Sequence, residues 1–423
     1  MNSIAQAVSC IDGYDPDALR VDKAGAAIRA CLTPVTEMES VAIRDALGRV
    51  LAQEIIPGIN VPGHDNSAMD GWAVRISDLH SSETQLREIG KALAGKPFQG
   101  PVGAGECVRV MTGAVMPQGT DSVVVQEVCV CDADRITIPA GQKAGQNVRA
   151  AGEDLKAGVP VLHPGQPVRA AELGLIASLG IAEVKVKRRL RVAFFSTGDE
   201  LSSIGLPLAP GQVYDSNRYT LHGMLSGMGV EIIDMGVVRD DPQKLESAFA
   251  TAAAKADAII TTGGVSVGEA DFVKQLMRRL GEVLFWKIAM RPGRPMAFGR
   301  IACGGNSAFL FGLPGNPVAV MVTFHQFVRD ALLVLGGRTD DVAVPLLEAV
   351  SAAAIRKVAG RTEYQRGVLF EEGGAMKVRI TGQQGSGVLR SMSEANCYIV
   401  LEHERGKVEV GELVSVQLLA ALP

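Results

Sequence analysis

Polar residues and glycines follow four apolar runs between residues 190 and 337, and their types predict an anion-binding edge. Glycines in the turn TTGGVSVGEADF would let backbone N–H groups approach a phosphate, and a following helix N-terminus would add favourable partial charge. The spacing matches neither a dinucleotide-binding fingerprint nor a Walker loop, so an ordinary strand-to-helix turn stays open as an alternative. The candidate ligand-binding residues are Ser196, Thr197, Gly263, Gly264, Ser266, Gly268, Pro314 and Gly315.

Three carboxylates, those of Glu200, Asp240 and Asp271, follow the same runs. The carboxyl ends of parallel strands meet at one edge of a sheet, so we expect these acids to converge beside the phosphate site. Mg²⁺ is the expected cation, because it binds through one or two carboxylates together with substrate phosphates. Alternatively, such acids cap helices: Asp241, before Pro242, is predicted to be an N-cap, and Asp271 could occupy a first helical turn.

A basic segment, FWKIAMRPGRPMAFG, has the opposite sign. Lys287, Arg291 and Arg294 lie within eight residues, beside a stiff Pro-Gly turn. Charge-assisted hydrogen bonds from such a group can hold a phosphate or another doubly charged oxyanion. A solvated basic edge is the alternative.

Two polar, glycine-containing strings lie earlier in the chain. HDNSAMDGWAVR contains Asp70 and Trp72, and NVRAAGEDL contains Arg149 and Asp154. Turns are generally rich in such residues, so neither string names a reaction by itself. Trp286 is predicted to lie in the core, whereas Trp72 fits either a core or a surface role.

The length, charge and cysteine content of the chain limit its possible domain number, partners and cellular compartment. A chain of 423 residues predicts two to four domains, and a formal net charge of −4 makes nucleic acid an improbable partner. The seven cysteines form no C-x-x-C pair, which excludes a zinc module and a disulfide framework and favours a reducing cytoplasm. Neither a signal peptide nor an uninterrupted apolar run of about 18 residues is present, so no membrane anchor is expected.

The hydrophobic patterns predict the elements that must position these residues. Helices are expected over residues 18–33, 36–55 and 165–180, and short Val-rich strands over about 58–154. From about residue 190, strands alternate with amphipathic helices, which predicts a mostly parallel sheet covered on both faces. Alternating segments after residue 338 predict a C-terminal β domain. The fold class is therefore α/β plus β, in several domains.

Eleven strings, in order along nearly the whole chain, resemble the molybdopterin molybdenumtransferase family, which includes MoeA and the gephyrin E domain. They are DNSAMDGWAVR, RVMTGAVMPQGTDSVVVQE, VRAAGEDL, FFSTGDEL, YDSNRYTL, RDDP, TTGGVSVGEADF, RPGRPMAFG, FGLPGNPV, GRTEYQRG and GSGVLRSMSEANCYIV. An ordered set of this size is far more specific than any single glycine loop.

The resemblance implies a four-domain subunit. Its parts would be an elongated discontinuous domain (residues 18–57 and 157–189), an inserted β domain (58–156), a MogA-like α/β molybdopterin-binding domain (190–337) and a C-terminal β barrel (338–423). It also implies a cytoplasmic homodimer, whose active cleft lies between the α/β domain of one subunit and the inserted β domain of the other.

The implied reaction consumes adenylylated molybdopterin and molybdate, inserts molybdenum at the dithiolene and releases AMP, with Mg²⁺ or a similar divalent cation. By motif, the implied catalytic residues are Asp70, Asp154, Glu200, Asp240 and Asp271, of which the last three would hold the metal. Thr112, Arg149 and Lys287 join the substrate-binding residues named above, and the implied molybdate-binding residues are Arg291, Arg294, Arg366 and Ser391.

The chain departs from the family pattern where Arg291 and Arg294 replace the usual lysines. The planar guanidinium of arginine, with its fork of N–H donors, replaces the compact ammonium of lysine at these positions. This change could affect the choice between molybdate and tungstate. Two other functions remain as alternatives. The first is a molybdopterin adenylyltransferase, and the second is a non-catalytic, gephyrin-like scaffold. If neither alternative holds, the molybdopterin adenylyltransferase is a possible partner of this chain.

Overall fold

The computed structural model describes Ile4, residues 14–264 and residues 271–422, with only the backbone for 271–273. The chain divides into two compact units. The first contains the described residues of Met1–Glu39, Gly48–Val50 and Lys187–Pro423, and the second contains Ser40–Leu47 and Leu51–Val186. The four domain boundaries implied by the resemblance stay a prediction.

Of the two helices expected before residue 57, one forms and one does not. Helix α1 spans Val21–Cys31, which confirms the first. The helix predicted over residues 36–55 is wrong, because strand β1 (Met38–Ala42) and a 3₁₀ turn (Ile43–Ala46) stand there instead. The backbone N–H of Ile43 donates to the carbonyl of Ala182 at 2.9 Å, so pairing with a distant segment overrides local helical spacing.

The second unit contains the predicted Val-rich strands. A six-stranded sheet has the order β6-β3-β5-β4-β8-β7, and β2 pairs with β9. Every residue of β3 is buried, including Trp72, which therefore lies in the core. The strands are β2 (Asn66–Ser67), β3 (Gly71–Val74), β4 (Thr84–Ala92), β5 (Glu106–Val110), β6 (Ser122–Val125), β7 (Val130–Asp132), β8 (Arg135–Ile138) and β9 (Val148–Arg149).

The helix expected over residues 165–180 is confirmed. Helix α2 (Ala170–Ser178) ends just before Gly180, whose φ of +71° suits a residue past a helix end. Strand β10 (Glu183–Lys187) then pairs with β1. A separate apolar core beneath α2 includes Leu51, Leu162, Ile176 and Val186.

The mostly parallel sheet is confirmed in the first unit, in the order β14-β11-β15-β19-β18-β16. The first four strands are mutually parallel. Strand β18 runs antiparallel to both of its neighbours, β19 and β16, so β16 again has the direction of the first four. Consecutive side chains enter separate cores on the two faces, Phe194 in one and Phe195 in the other. The strands are β11 (Arg191–Thr197), β12 (Leu201–Ser202), β13 (Val213–Tyr214), β14 (Glu231–Val238), β15 (Ala258–Thr262), β16 (Gly281–Lys287), β17 (Met290–Arg291), β18 (Pro295–Cys303) and β19 (Asn306–Leu313).

Helices cover both faces of this sheet. Helices α3 (Ser216–Gly227), α4 (Pro242–Lys255) and α5 (Asp271–Leu280) are followed by a long helical stretch. That stretch comprises α6 (Pro317–Thr323), a π turn (Phe324–Val328) and α7 (Arg329–Leu335). Among the described residues, Pro317–Leu335 is the helix long and apolar enough to cross a membrane by length and composition, but 67% of its most apolar window is buried inside the structure.

The C-terminal region forms a closed five-stranded barrel. The strands are β20 (Leu347–Ser351), β21 (Thr362–Glu372), β22 (Ala375–Ile380), β23 (Cys397–Leu401) and β24 (Leu413–Leu418), with a short helix α8 (Arg390–Ser393). Pairing runs β21-β22-β20-β24-β23, and β23 returns to β21. Strand β17 pairs with the start of β21, placing Arg291 beside Glu363.

Candidate active site

The ends of β11 and β15 bring several predicted ligand-binding residues together. Ser196 and Thr262 are fully buried, and the Thr262 hydroxyl donates to Ser196 Oγ at 3.2 Å. The Thr197 hydroxyl donates to the carbonyl of Thr262 at 3.4 Å. These hydroxyls therefore hold the two strand ends in register, and the backbone beyond them forms the edge of the sheet.

Gly263 lies immediately past this junction. Its φ is +85°, and a Cβ there would come within 2.4 Å of the carbonyl oxygen of Thr197. In the turn after β19, Pro314 is buried and Gly315 is exposed. The Gly315 carbonyl accepts a hydrogen bond from Asn217 Nδ2 at 2.7 Å. A Cβ on Gly315 would lie 3.9 Å from Gly263 Cα, so the two loops approach closely. Gly264 follows Gly263, whereas Ser266 and Gly268 lie outside the described residues.

We expect Gly263→Ala to lower the unfolding free energy by about 3 kcal/mol, because it adds steric overlap to an unfavourable φ. Gly305→Ala is the matched control: its φ is +87°, and a Cβ there meets nothing within 4 Å. That control should lose only about 1 kcal/mol, from backbone strain alone. Urea denaturation of both variants measures the difference. Equal losses would contradict the close approach of Gly263 to Thr197.

Carboxylates gather at the same edge. Partial burial raises the pKa of Asp240, and the charges of Asp199 and Glu200 raise it further. The side chain of Asp241 accepts from the backbone N–H groups of Gln243 and Lys244, so the predicted N-cap is confirmed. Asp271 begins α5, and its side chain lies outside the described residues.

The acids described at this edge do not form a closed metal site. Among the residues whose side chains are described, no group of three His, Cys, Asp or Glu could hold a metal ion by itself. Mg²⁺ does not require such a group, because phosphate and water oxygens complete its shell around one or two carboxylates. Burial and, after it, the charges of Asp199 and Glu200 raise the pKa of Asp240, and a divalent cation bound nearby would relieve that repulsion.

The cations of the basic segment have different neighbours: Lys287 and Arg294 lie near Asp17, and Arg291 lies near Arg366. Lys287 Nζ lies 2.6 Å from Asp17 Oδ1, and this hydrogen bond is the main cause of the lowered pKa of Asp17. Arg294 contributes more weakly to the same shift, and its side chain is exposed. Arg291 instead points toward the barrel, where its charge opposes that of Arg366.

Arg366 is the most unusual charge in the described part of the chain. It is 1% exposed, and its Nε donates to Ser391 Oγ at 3.0 Å. Nη2 donates to the carbonyls of Gly385 at 2.9 Å and Gln383 at 3.4 Å. No carboxylate pairs with it among the described residues, and burial, together with Arg291, lowers its pKa.

A cavity of about 340 Å³ opens beside this guanidinium. Three arginines, Arg291, Arg356 and Arg366, line it, together with the amides of Gln365 and Gln384 and the carboxylate of Glu363. Arg356 was not predicted from the sequence. The feature that could have indicated it is the basic run Arg356, Lys357 and Arg361, which immediately precedes β21.

In the second unit, loops bring Asp70 and Thr112 into contact. Asp70 Oδ1 accepts from the backbone N–H of Thr112 at 2.7 Å and from its hydroxyl at 2.8 Å, and these bonds lower the pKa of Asp70. Arg149 pairs with Asn66 between β9 and β2. Asp154 is exposed, in a turn where its backbone N–H donates to the carbonyl of Val61. Trp72, by contrast, donates from Nε1 to Glu88 and supports the core.

Sequence reasoning also missed Asn217. Its side chain is 8% exposed, and Oδ1 is buried with no hydrogen-bond partner among the described residues, while Nδ2 holds Gly315. An unsatisfied buried acceptor beside the glycine edge is a candidate contact for a ligand donor. Its position in the motif YDSNRYTL was the available signal.

Known families match most of the chain. The MoeA N-terminal region (domain I and II) matches residues 19–180, a probable molybdopterin binding domain matches 193–334, and the MoeA C-terminal region (domain IV) matches 348–419. These three regions carry, respectively, the Asp70–Thr112 loops, the glycine edge and the buried Arg366.

Similar proteins match more than nine-tenths of this chain. A molybdopterin molybdenumtransferase of Haemophilus influenzae is 44% identical over 401 residues, covering 94% of this chain and 98% of that protein. Gephyrin of Dictyostelium discoideum is 31% identical, covering 91% of this chain and 60% of gephyrin. The crystal structure of a molybdopterin biosynthesis MoeA protein from Pyrococcus horikoshii aligns with a TM-score of 0.81 at 27% identity, covering 95% of this chain and 100% of that one. The chain belongs to the MoeA family.

Proposed function

We propose that this chain is a molybdopterin molybdenumtransferase, which inserts molybdenum from molybdate into adenylylated molybdopterin with release of AMP. The observation that carries the proposal is Arg366, a guanidinium 1% exposed beside Ser391 and facing a cavity that Arg291 also lines. A buried cation whose hydrogen bonds all go to neutral groups is costly, and an oxyanion entering the cavity would supply the missing counter-charge. Molybdate, a compact dianion, has the required sign and size.

The glycine edge would hold the phosphoanhydride of the adenylylated pterin. Backbone N–H groups at Gly263 and Gly264 would donate to it there, and the small residues allow close approach. The free Asn217 Oδ1 is an acceptor and would instead receive a hydrogen bond from a donor group of the substrate. Glu200 and Asp240, with Asp271 as the resemblance implies, would hold Mg²⁺. The ion, when bound, neutralises charge on the phosphate oxygens.

The reaction then has two balanced parts. Hydrolysis of the phosphoanhydride consumes one water and yields AMP and the phosphate of molybdopterin. Molybdate exchanges one oxo ligand for the two dithiolene sulfurs, and the two thiol protons leave with that oxygen as water. Arg366 and Arg291 would hold the molybdate dianion at a fixed position, so its encounter with the sulfurs is effectively unimolecular.

Reconstitution separates this function from the alternatives. Supplied with adenylylated molybdopterin and molybdate, the protein should yield a cofactor that activates an apo-molybdoenzyme. Supplied with molybdopterin and Mg-ATP instead, it should form no adenylylated pterin; formation of that product would favour the adenylyltransferase. Binding of both substrates without AMP release would favour the scaffold.

The assembly and compartment are further parts of the proposal. We expect a homodimer in the cytoplasm, in which Asp70, Thr112, Arg149 and Asp154 of one subunit complete the cleft of the other. Light scattering on the purified protein measures the mass. A monomer at catalytic concentrations that retains full turnover would contradict the shared cleft.

A further inference from the structure

Strand β21 loses one of its two partner strands at Arg366. Its pairing with β22 begins only at Gly367, which lies opposite Ile380, the last residue of β22. On the other side, Arg366 still lies opposite Tyr398 of β23. Arg366 is buried, and a buried peptide group without a partner is costly, so its backbone needs partners that the sheet does not supply.

The side-chain amide of Gln384 takes the place of the missing strand. Its Oε1 accepts from the backbone N–H of Arg366 at 2.8 Å. Its Nε2 donates to the carbonyl of Arg366 at 3.1 Å and to the carbonyl of Thr381 at 2.6 Å. A primary amide presents the donor and the acceptor that a peptide group presents, which neither a charged nor an apolar side chain does. Gln384 therefore fixes both backbone polar groups of Arg366.

Thr381 links Arg366 to Ser391. Its backbone N–H donates to the carbonyl of Arg366 at 2.9 Å, and its buried hydroxyl lies 3.2 Å from the carbonyls of both Arg366 and Ser391. Ser391 Oγ donates to the carbonyl of Val388 at 2.6 Å, so its lone pair is left to accept from Arg366 Nε. The residues between 381 and 391 therefore hold the backbone and the side chain of Arg366 together.

These contacts determine which donors of Arg366 stay free. Nε donates to Ser391, and Nη2 donates to the carbonyls of Gly385 and Gln383. Nη1 has no acceptor among the described residues, and the guanidinium lines the 340 Å³ cavity. Because only neutral acceptors orient this cation, the direction of Nη1 depends on how firmly the backbone of Arg366 is held.

We propose that Gln384 and Thr381 are positioning residues, which hold Arg366 so that its Nη1 meets an incoming oxyanion. The inference rests on the proposed function, because molybdate is the oxyanion bound there. Gln384 also lines the cavity, but the carbonyls of Arg366 and Thr381 engage both N–H donors of its amide, so it acts through Arg366. A misdirected guanidinium keeps its charge and loses the alignment of its donors, which weakens oxyanion binding and leaves the pterin site unchanged.

The kinetic test is Gln384→Met, which keeps the length of the side chain and removes its amide. The backbone around it stays anchored, because the carbonyl of Ser386 accepts from the backbone N–H of Val318 at 3.1 Å, so we expect this variant to fold. The KM for molybdate should rise about tenfold, and the KM for the adenylylated pterin should not change. The control Gln53→Met, at an exposed position, should behave as wild type. An unchanged KM for molybdate, or an equal rise in both KM values, would overturn the proposal.

A second pair of variants tests the hydroxyl of Thr381. Thr381→Val removes the hydroxyl at nearly constant volume and should raise the KM for molybdate severalfold. Thr381→Ser keeps the hydroxyl and should restore the wild-type KM. A serine variant that behaves like the valine variant would assign the effect to packing and overturn the role of the hydroxyl.

A mutant cycle with Arg366→Met separates positioning from a merely structural role. If Gln384 acts only through the guanidinium, Arg366→Met/Gln384→Met should have the same kcat/KM for molybdate as Arg366→Met alone. Any loss of thermal stability from Gln384→Met should persist in both backgrounds, because it arises from the backbone contacts. A further fall of kcat/KM in the double variant would show that Gln384 acts independently of Arg366 and would overturn the proposal.

Anion binding without the pterin distinguishes the failure of this inference from the failure of the proposed function. Calorimetry with molybdate alone should find binding about tenfold weaker in Gln384→Met than in wild type. That result, combined with no molybdate-dependent AMP release in wild type, would refute the proposed function and leave the positioning role standing. Normal AMP release in wild type, with equal molybdate affinity in Gln384→Met, would refute the positioning role alone.

Discussion

Arg366→Met is expected to lower kcat/KM for molybdate by about 10²- to 10³-fold. The guanidinium is the buried cation facing the 340 Å³ cavity, and no other described side chain donates to Ser391 Oγ. Methionine has similar length and no charge, so the cavity keeps its shape and loses its attraction for a dianion. Molybdate-dependent AMP release measures the loss.

The same substitution should barely alter folding. It removes a buried charge that lacks a carboxylate partner, which favours the folded state, and it leaves the carbonyls of Gly385 and Gln383 without a donor, which opposes it. We expect the unfolding free energy to change by less than about 2 kcal/mol. Arg379→Met, exposed on the neighbouring strand, is the control. Wild-type turnover in Arg366→Met would remove this arginine from the mechanism.

Asp240→Asn is expected to reduce AMP release by about 10²-fold at saturating substrates. Burial raises the pKa of Asp240, and the nearby charges of Asp199 and Glu200 raise it further. We propose that Asp240 shares the cation with Glu200. An amide keeps the shape and removes the charge. The midpoint of the Mg²⁺ titration of AMP release should move to higher concentration.

The neighbouring carboxylate provides the matched control. Asp241 caps α4 through its side chain, and asparagine caps helices equally well, so Asp241→Asn should keep both stability and turnover. Thermal unfolding gives a readout besides activity, because Mg²⁺ should raise the Tm of wild type and Asp241→Asn but not of Asp240→Asn. An unchanged Mg²⁺ response in Asp240→Asn would contradict its placement at the metal.

The sheet edge was predictable because local signals and topology agree there. Apolar runs alternating with amphipathic helices predict parallel strands, and turn residues after such strands converge at one edge. Ser196, Thr197, Gly263 and Gly315 accordingly meet in the structure. The helix expected over residues 36–55 failed for the opposite reason, since long-range pairing outweighed its helical spacing.

The cation arrangement could not be read from spacing. Lys287 and Arg291 are four residues apart, yet Lys287 pairs with Asp17 and Arg291 lines the barrel cavity. That divergence follows from β17 joining β21, a pairing between segments about seventy residues apart that no local pattern encodes. Arg356 lies in the segment before β21, and the pairing of β21 with β17 brings that segment to the cavity that Arg291 lines.

We expect the arginine at position 291, which lines the barrel cavity, to affect the choice of oxyanion. Arg291 has no partner among the described residues and presents a planar fork to the cavity, whereas a lysine would present a point charge. Tungstate and molybdate have the same charge and nearly the same size, so we expect neither net charge nor cavity volume to separate them and test the donor geometry at Arg291. Competition of the two anions in wild type and Arg291→Lys measures that preference.

We propose that one site binds the nucleotide-linked pterin and the oxyanion together. The most direct test of this coupling measures two quantities: the AMP released from adenylylated molybdopterin with and without molybdate, and the molybdenum bound to the pterin product. We expect AMP and inserted molybdenum in equal amounts, with both abolished when molybdate is left out. AMP release at the same rate without molybdate, or molybdenum insertion without AMP, would contradict the account.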